Sequence, residues 1–183
     1  MKKIFQLTIF VLMLAVTSMA SAASEKSTIE EGADLSNIHK LAIGTTNYYQ
    51  TDSNAPTHDE FVDIIYEASK VGRTQVISNA DYRAAAKKIS KFKIELFEPN
   101  IAQKMSNQGI SDLADAYLVT TIANPNRPNF FFEVYDAKTN QLLYTYQTVL
   151  AKTSRKNAKN FQEICETFFK KFDQVAVKQA KKR

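Results

Sequence analysis

Three stretches in the second half of the chain combine β-branched and aromatic residues at high density. They are Ala116–Ala123, Asn129–Asp136 and residues 141–150, and the turn-forming segments NPNRP and AKTN separate them. Runs of this composition favour β-strands, and short turn segments between them favour antiparallel pairing. The pattern predicts a three-stranded antiparallel meander, around which we expect the rest of the chain to pack.

An earlier part of the chain alternates strand and helix signals. Residues 39–46 and 74–78 are short runs that suit buried strands. Between them, Thr57 and Glu60 have the spacing of a capping box, and Gly72 is placed to end the helix in a left-handed conformation. One face of this helix is apolar, through Phe61, Ile64, Ile65 and Ala68. Strand, helix and strand at this spacing predict a βαβ unit with two parallel strands.

The segment between this unit and the meander predicts further helices. Residues 79–89 have one apolar face, and Asn79 with Asp81 is expected to cap the helix. Residues 92–96 fit an alternating strand and also fit a continuation of the helical stripe, so both alternatives stay open. Residues 99–109 predict a short helix that begins at a proline and ends at a glycine.

The last part of the chain predicts a long amphipathic helix, which Ser154 or Asn157 could cap. Asp173 is expected on its polar side together with Glu163, Glu166, Lys170 and Lys171. Because that side carries charges of both signs, the helix is expected to pack on the core and not on a membrane. Its apolar positions repeat every 3.6 residues over four turns: Phe161, Ile164, Cys165, Phe168, Phe169, Phe172, Val175 and Ala176.

Taken together, the elements predict one α/β (α+β) domain. Its mixed sheet of about five strands would consist of the βαβ unit followed by the meander, with helices packed on it. A chain of 183 residues is of a size that forms a single domain. We place this domain at residues 38–183 and expect a flexible leader at residues 23–37, because that segment is polar and acidic and has no sustained period.

The first 22 residues have the pattern of a signal peptide. Lys2 and Lys3 precede an apolar run at residues 4–16, and Ala20 and Ala22 provide the small residues that a signal peptidase reads. The apolar run is shorter than the roughly 20 residues that span a bilayer. We therefore expect export to the periplasm or the medium, cleavage after Ala22, and a soluble product without a transmembrane anchor.

The cysteine content and the net charge limit which anchors, disulfides and binding partners the sequence predicts. The single cysteine, Cys165, lies far from the signal, so neither a lipid anchor nor an internal disulfide is expected, and its place on the apolar stripe predicts a buried, inert thiol. The formal net charge of +5 falls by two when Lys2 and Lys3 are removed, which does not indicate nucleic-acid binding. The cations near the C-terminus suit the end of a helix, with contact to an anionic membrane surface or wall polymer as the alternative.

Two segments of the meander resemble a known family. The segment DAYLV at 115–119, followed by a strand that ends VYDAKTN at 134–140, is similar to a motif of envelope proteins. That family includes the curli-secretion lipoprotein CsgG and the penicillin-binding-protein activator LpoB, and it shares a fold with the TolB N-terminal domain. Asn140 stands where the family usually has glycine, and both residues tolerate a left-handed hairpin position. The chain departs from the family in having no lipobox cysteine and no clear membrane-spanning hairpin. The resemblance implies a non-catalytic protein-binding or assembly module.

The sequence carries no signature of catalysis, of a cofactor or of a metal. His39 and His58 have no ligand partner at helical spacing, and capping explains the acids next to His58. Asp112 and Asp115 could form an acid pair, but such residues also end turns. The four glycines form no phosphate-binding loop or nucleophile elbow. We therefore expect no enzyme activity and no cofactor.

Aromatic residues supply the candidate binding surface. They populate both faces of the meander, so either helices cover both faces or part of one face binds a partner, an envelope protein or a cell-wall polymer. The alternative function, a periplasmic small-molecule binder or enzyme, would use the loop at residues 45–56, where Tyr48 and Tyr49 follow the first strand. The candidate surface residues are Tyr48, Tyr49, Arg127, Phe131, Tyr135, Tyr144 and Tyr146.

Overall fold

A six-stranded mixed sheet forms the centre of the domain in the computed structural model, which describes residues 25–90, 109–124 and 126–182. The strands are β1 (Lys26–Ile29), β2 (Lys40–Asn47), β3 (Gln75–Ile77), β4 (Ala116–Ala123), β5 (Asn129–Asp136) and β6 (Leu142–Val149). Their order across the sheet is β1-β6-β5-β4-β2-β3. The helices are a 3-10 turn at Leu35–Asn37, α1 (His58–Ser69), α2 (Asn79–Ser90) and α3 (Ala158–Ala180).

The two predicted supersecondary units are confirmed. β2 and β3 run parallel on either side of α1 in the chain, and β4, β5 and β6 pair antiparallel in sequence order. The capping box at the start of α1 is complete, because Glu60 N–H donates to Thr57 Oγ1 and Thr57 N–H donates to Glu60 Oε2. The hairpin residue Asn140 has φ 61°, the left-handed conformation expected at this turn. β4 also pairs parallel with β2, which joins the two units into one sheet.

One face of the sheet is covered by α1 and α3 and forms the core. Phe168 of α3 stacks on Phe132 of β5 with ring centroids 4.5 Å apart, and Phe61 of α1 packs edge to face against Phe161 at 5.5 Å. Cys165 is buried in this core, as predicted, and burial raises the pKa of its thiol, which disfavours the reactive thiolate. The apolar stripe of the terminal helix is therefore a packing surface, and Asn157 provides its cap.

The other face of the sheet is covered differently. α2 lies beside β2 on this side, where Asn79 Nδ2 donates to the carbonyl oxygens of Ile43 and Gly44. Ser78, and not Asn79, caps the helix, since Ser78 Oγ accepts from Asp81 N–H at 3.2 Å. The Tyr82 ring of α2 also reaches β4, where it lies beside the Tyr117 ring.

Three further sequence expectations differ from the structure. The leader, expected to be flexible, contains β1, which pairs with the edge of β6 and brings the sheet to six strands. All four residues of β1 are exposed, so no apolar pattern in the sequence predicts this strand. Gly72 does not adopt a left-handed conformation; α1 ends at Ser69, and a Cβ on Gly72 would lie 3.0 Å from Asp173 Oδ2. Asp173 does not lie on the solvent-exposed polar side of α3. Its side chain is only 9% exposed and packs against the turn at Gly72.

Several predictions fall on residues outside the described ranges. These are the signal peptide at residues 1–22, the open choice between strand and helix at residues 92–96, and the short helix up to residue 108. The predicted end of that helix at Gly109 is wrong, because residues 109–111 are still helical. Within the described residues, no helix is both long enough and apolar enough to cross a membrane.

Two core tyrosines predict that stability falls at alkaline pH. Burial raises the pKa of Tyr144 to about 12 and raises that of Tyr146 as well. Because the unfolded chain ionises near pH 10, it releases these protons first, and the folded state loses stability between about pH 10 and about pH 12. We expect the part of the phenolate absorbance that comes from the buried tyrosines to rise together with loss of the circular dichroism signal. Tyr144→Phe should reduce this pH dependence, and full ionisation at pH 10 in a folded protein would contradict it.

Candidate functional site

The side of the sheet opposite α1 and α3 brings together aromatic and polar side chains from three strands. In the antiparallel register Tyr117 lies opposite Tyr135, and Thr121 lies opposite Phe131. Directly opposed residues share a face of the sheet, and every residue of this set is half-buried. We call this set the aromatic face: Tyr117, Val119, Thr121, Phe131, Glu133, Tyr135, Thr145 and Gln147.

The tyrosines of the aromatic face form a fixed group. The rings of Tyr117 and Tyr135 stack with centroids 5.4 Å apart and planes 15° apart, and Tyr82 of α2 lies 6.4 Å from Tyr117. The Tyr117 hydroxyl donates to Asn140 Oδ1, and the Tyr135 hydroxyl donates to Glu133 Oε2 at 3.3 Å. Burial raises the pKa of Tyr117 to about 12, so it stays a neutral donor at physiological pH. The face thus offers rigid rings with polar tips.

Three predicted surface residues lie inside the molecule instead. Tyr144 and Tyr146 point to the core, where Tyr144 packs edge to face on Phe172 with ring centroids 5.8 Å apart. Tyr48 is also in the core, 6% exposed, and its hydroxyl donates to the Pro56 carbonyl at 2.7 Å. These three residues cannot contact a partner, because the helical layer or the loop covers them.

The loop that carries the alternative function has little room for a ligand. Tyr49 is 87% exposed to solvent. The cavity beside it has a volume of about 170 Å³, and its polar side chains include Thr51 and Lys156. Small-molecule sites usually enclose about 300 to 1,000 Å³.

Arg127 is also exposed, in the turn between β4 and β5, so it borders the Phe131 end of the aromatic face.

The residues considered for chemistry have structural roles. Asp115 Oδ2 accepts from the N–H groups of His39 and Lys40, both at 2.9 Å, and thereby fixes the start of β2 against β4. His58 contacts Asp59 and the Thr46 carbonyl. In the described parts of the chain, no three His, Cys, Asp or Glu side chains come together as metal ligands. The geometry here stabilises strand and helix ends.

Sequence reasoning missed Tyr117 and Tyr82, the two residues that complete the aromatic group. Tyr117 alternates with buried Leu118 along β4, so the sequence pattern alone predicts that the Tyr117 side chain points away from the core. Its contact with Tyr135 depends on the register between β4 and β5, and its contact with Tyr82 depends on where α2 lies. Neither is encoded in local sequence.

No protein-family model matches the chain, and no curated protein matches it. Similar solved structures include PelC, as a dodecamer, from Paraburkholderia phytofirmans, with a TM-score of 0.49 at 10% identity over 83% of this chain and 98% of that one. The LpoB C-terminal domain from Escherichia coli has a TM-score of 0.44 at 10% identity over 66% and 89%. A lipoprotein from Neisseria meningitidis has 0.44 at 11% identity over 73% and 95%. An LpoB domain, one of the proteins that the strand motifs resemble, is thus among the similar structures.

Proposed function

We propose that this protein is an exported, non-catalytic module of the cell envelope that binds another envelope protein through the aromatic face. The proposal has three parts: export, absence of catalysis and a partner surface. The signal-like N-terminus supports the first part and the strand motifs support the second. The stacked Tyr117–Tyr135 pair, on the same face of the sheet as Phe131, carries the third part.

The composition of the aromatic face favours a protein as the partner. Interfaces between proteins are enriched in tyrosine and phenylalanine at their centre and carry hydrogen-bonding groups around it. Here Phe131 and Tyr135 lie beside Glu133, and Gln147 Nε2 donates to Asn129 Oδ1 at 3.3 Å along the border. A cell-wall polymer is the other occupant to be tested.

Export is tested by the mature N-terminus. Cleavage after Ala22 would leave β1 intact, since the strand begins at Lys26 and Glu25 Oε2 lies 3.8 Å from Lys171 Nζ. We expect mass spectrometry of the protein made from the full chain in a bacterial host to give Ala23 as the first residue. Ala22→Arg removes the small residue and should block processing. A native product that retains Met1, or one that carries a fatty acid, would contradict export of a soluble protein.

The partner surface is tested by a matched pair of substitutions. Phe131→Ser changes the aromatic face, whereas Tyr66→Ser changes an exposed aromatic residue of α1 on the helical side. After brief formaldehyde treatment of cells, we expect Phe131→Ser to lose most of the cross-linked species that contain this protein, about tenfold if Phe131 is a central contact. Tyr66→Ser should retain them. Equal yields from the two variants, both folded by circular dichroism, would rule out the aromatic face.

A further inference from the structure

A groove lined by basic side chains lies on the helical side of the sheet, away from the aromatic face. It consists of two adjacent cavities of about 520 and 600 Å³ between the last turns of α3 and the turn that leads from α1 to β3. The two cavities share Arg73, Asp173, Val177 and Lys181. We call this the basic groove; its cations are Arg73, Lys170, Lys178, Lys181 and Lys182.

The charge of the groove is strongly unbalanced. Asp173 is its one carboxylate among the described lining residues, and it accepts hydrogen bonds from Arg73 N–H and from Thr74 Oγ1. Lys170 Nζ lies 3.5 Å from Glu166 Oε2. Within the described residues, the other four cations have no carboxylate within 4.0 Å, since none of them belongs to an ion pair. Lysines at a helix end suit its dipole, but Arg73 comes from a different element and faces the same groove.

Apolar residues form the floor between these cations. Val71 is 42% exposed and is one of the few large apolar side chains of the described residues that face solvent. Val177 lies half-buried beside it, and Ala176 and Ala180 continue the floor toward Ile38. A ligand that fits this groove must therefore carry negative charge and also apolar groups.

The dimensions favour an extended chain. From Lys170 to its end at Ala180, α3 rises about 15 Å, which about five extended residues would span. A flat lipid surface would reach the outer lysines but not the floor at Val177, because the turn at Val71 and Arg73 forms a second wall. Among the described residues no phenylalanine, tyrosine or tryptophan lines the groove, so it lacks the row of large rings on which single-stranded nucleic acids stack.

We infer that the basic groove binds an extended acidic peptide segment of a partner protein, with carboxylates on the lysines and apolar side chains on Val71 and Val177. This binding site lies on the opposite side of the sheet from the aromatic face. Its test uses a synthetic peptide, so failure of one proposal leaves the other standing. The basic groove would thus be a second binding site, separate from the aromatic face, for an acidic and partly apolar ligand.

The experiment measures fluorescence anisotropy of a labelled peptide of alternating glutamate and valine with the purified protein. We expect Lys178→Glu with Lys181→Glu to weaken binding about tenfold or more, because both rim cations are reversed. The matched control, Lys152→Glu with Lys159→Glu, changes the net charge equally at exposed positions outside the groove and should bind within about twofold of the wild type. If the charge-reversed pair does not fold, Lys178→Gln with Lys181→Gln replaces it.

Four further measurements identify the ligand class. Val71→Ser and a peptide of alternating glutamate and serine should each bind several-fold more weakly, since each removes the apolar contact. Polygalacturonate and vesicles of phosphatidylglycerol should bind more weakly than the glutamate–valine peptide and should not respond to Val71→Ser. The inference would be overturned if the control pair lost as much affinity as the groove pair. It would also be overturned if the glutamate–serine peptide or polygalacturonate bound as tightly as the glutamate–valine peptide, or if the protein bound vesicles but not the peptide.

Discussion

Phe168→Ala is expected to lower the free energy of unfolding by about 3 to 5 kcal/mol, the range found when a large buried aromatic is truncated. Phe168 is 0% exposed, and its ring lies at the centre of the contact between α3 and the sheet. It stacks on Phe132 at 4.5 Å and packs edge to face on Phe169 at 4.9 Å. Domains of this size have about 5 to 15 kcal/mol of stability, so the loss is a large share.

Thermal and urea unfolding measure this effect directly. Tyr49→Ala is the control, since that side chain is almost fully exposed and its loss should change stability by no more than about 0.5 kcal/mol. Phe168→Leu keeps most of the buried volume and should fall between the two. An unchanged melting temperature for Phe168→Ala would mean that α3 does not pack on the core, and the assignment of its apolar stripe would be wrong.

Gly44→Val is expected to destabilise the sheet by about 3 kcal/mol, at the upper end of the cost of overpacking. A Cβ atom at this position would lie 2.9 Å from the Leu118 carbonyl oxygen and 3.3 Å from the Tyr117 ring. The carbonyl belongs to the backbone of β4 and cannot turn aside, so β2 and β4 would have to separate. Gly44 therefore permits the parallel pairing that joins the βαβ unit to the meander.

A neighbouring position provides the control for this prediction. Thr45 is the next residue of β2 and is exposed, so Thr45→Val introduces the same side chain without the contact. We expect its denaturant midpoint to stay near that of the wild type. Displacement of Tyr117 by Gly44→Val should also disturb the stacked pair with Tyr135, visible as a change in near-ultraviolet circular dichroism. If both variants unfold at the same denaturant concentration, the close approach of β2 and β4 is wrong.

Local sequence patterns were sufficient to predict most helices and strands. The meander strands, β2 and the start of α1 at Thr57 depend on residues within a few positions of one another, and the structure places them as predicted. β1 depends on the free edge of β6, which no property of its own exposed residues indicates. Asp173 was misplaced because its helical position suggests solvent, whereas its hydrogen bonds come from a turn 100 residues away.

The candidate surface was predictable only in part. Alternation along β5 separates Phe131 and Tyr135 from the core residues Phe130 and Phe132. Tyr144 and Tyr146 on β6 look equally suited to either face until the register with β5 is known. The basic groove combines Arg73 with lysines about 100 positions later, and only the packing of α3 against the turn brings them together. Long-range placement, and not residue type, decides both surfaces.

Photo-cross-linking from the aromatic face tests the central proposal most directly. Benzoylphenylalanine at Phe131 replaces one aromatic ring by another, and the same group at Tyr66 on α1 is the control. In intact cells we expect one discrete adduct with another envelope protein from position 131, lost when Tyr135→Ser is added, and none of that mass from position 66. No adduct at position 131, an adduct of twice the protein's own mass, or the same adduct from both positions would contradict the account.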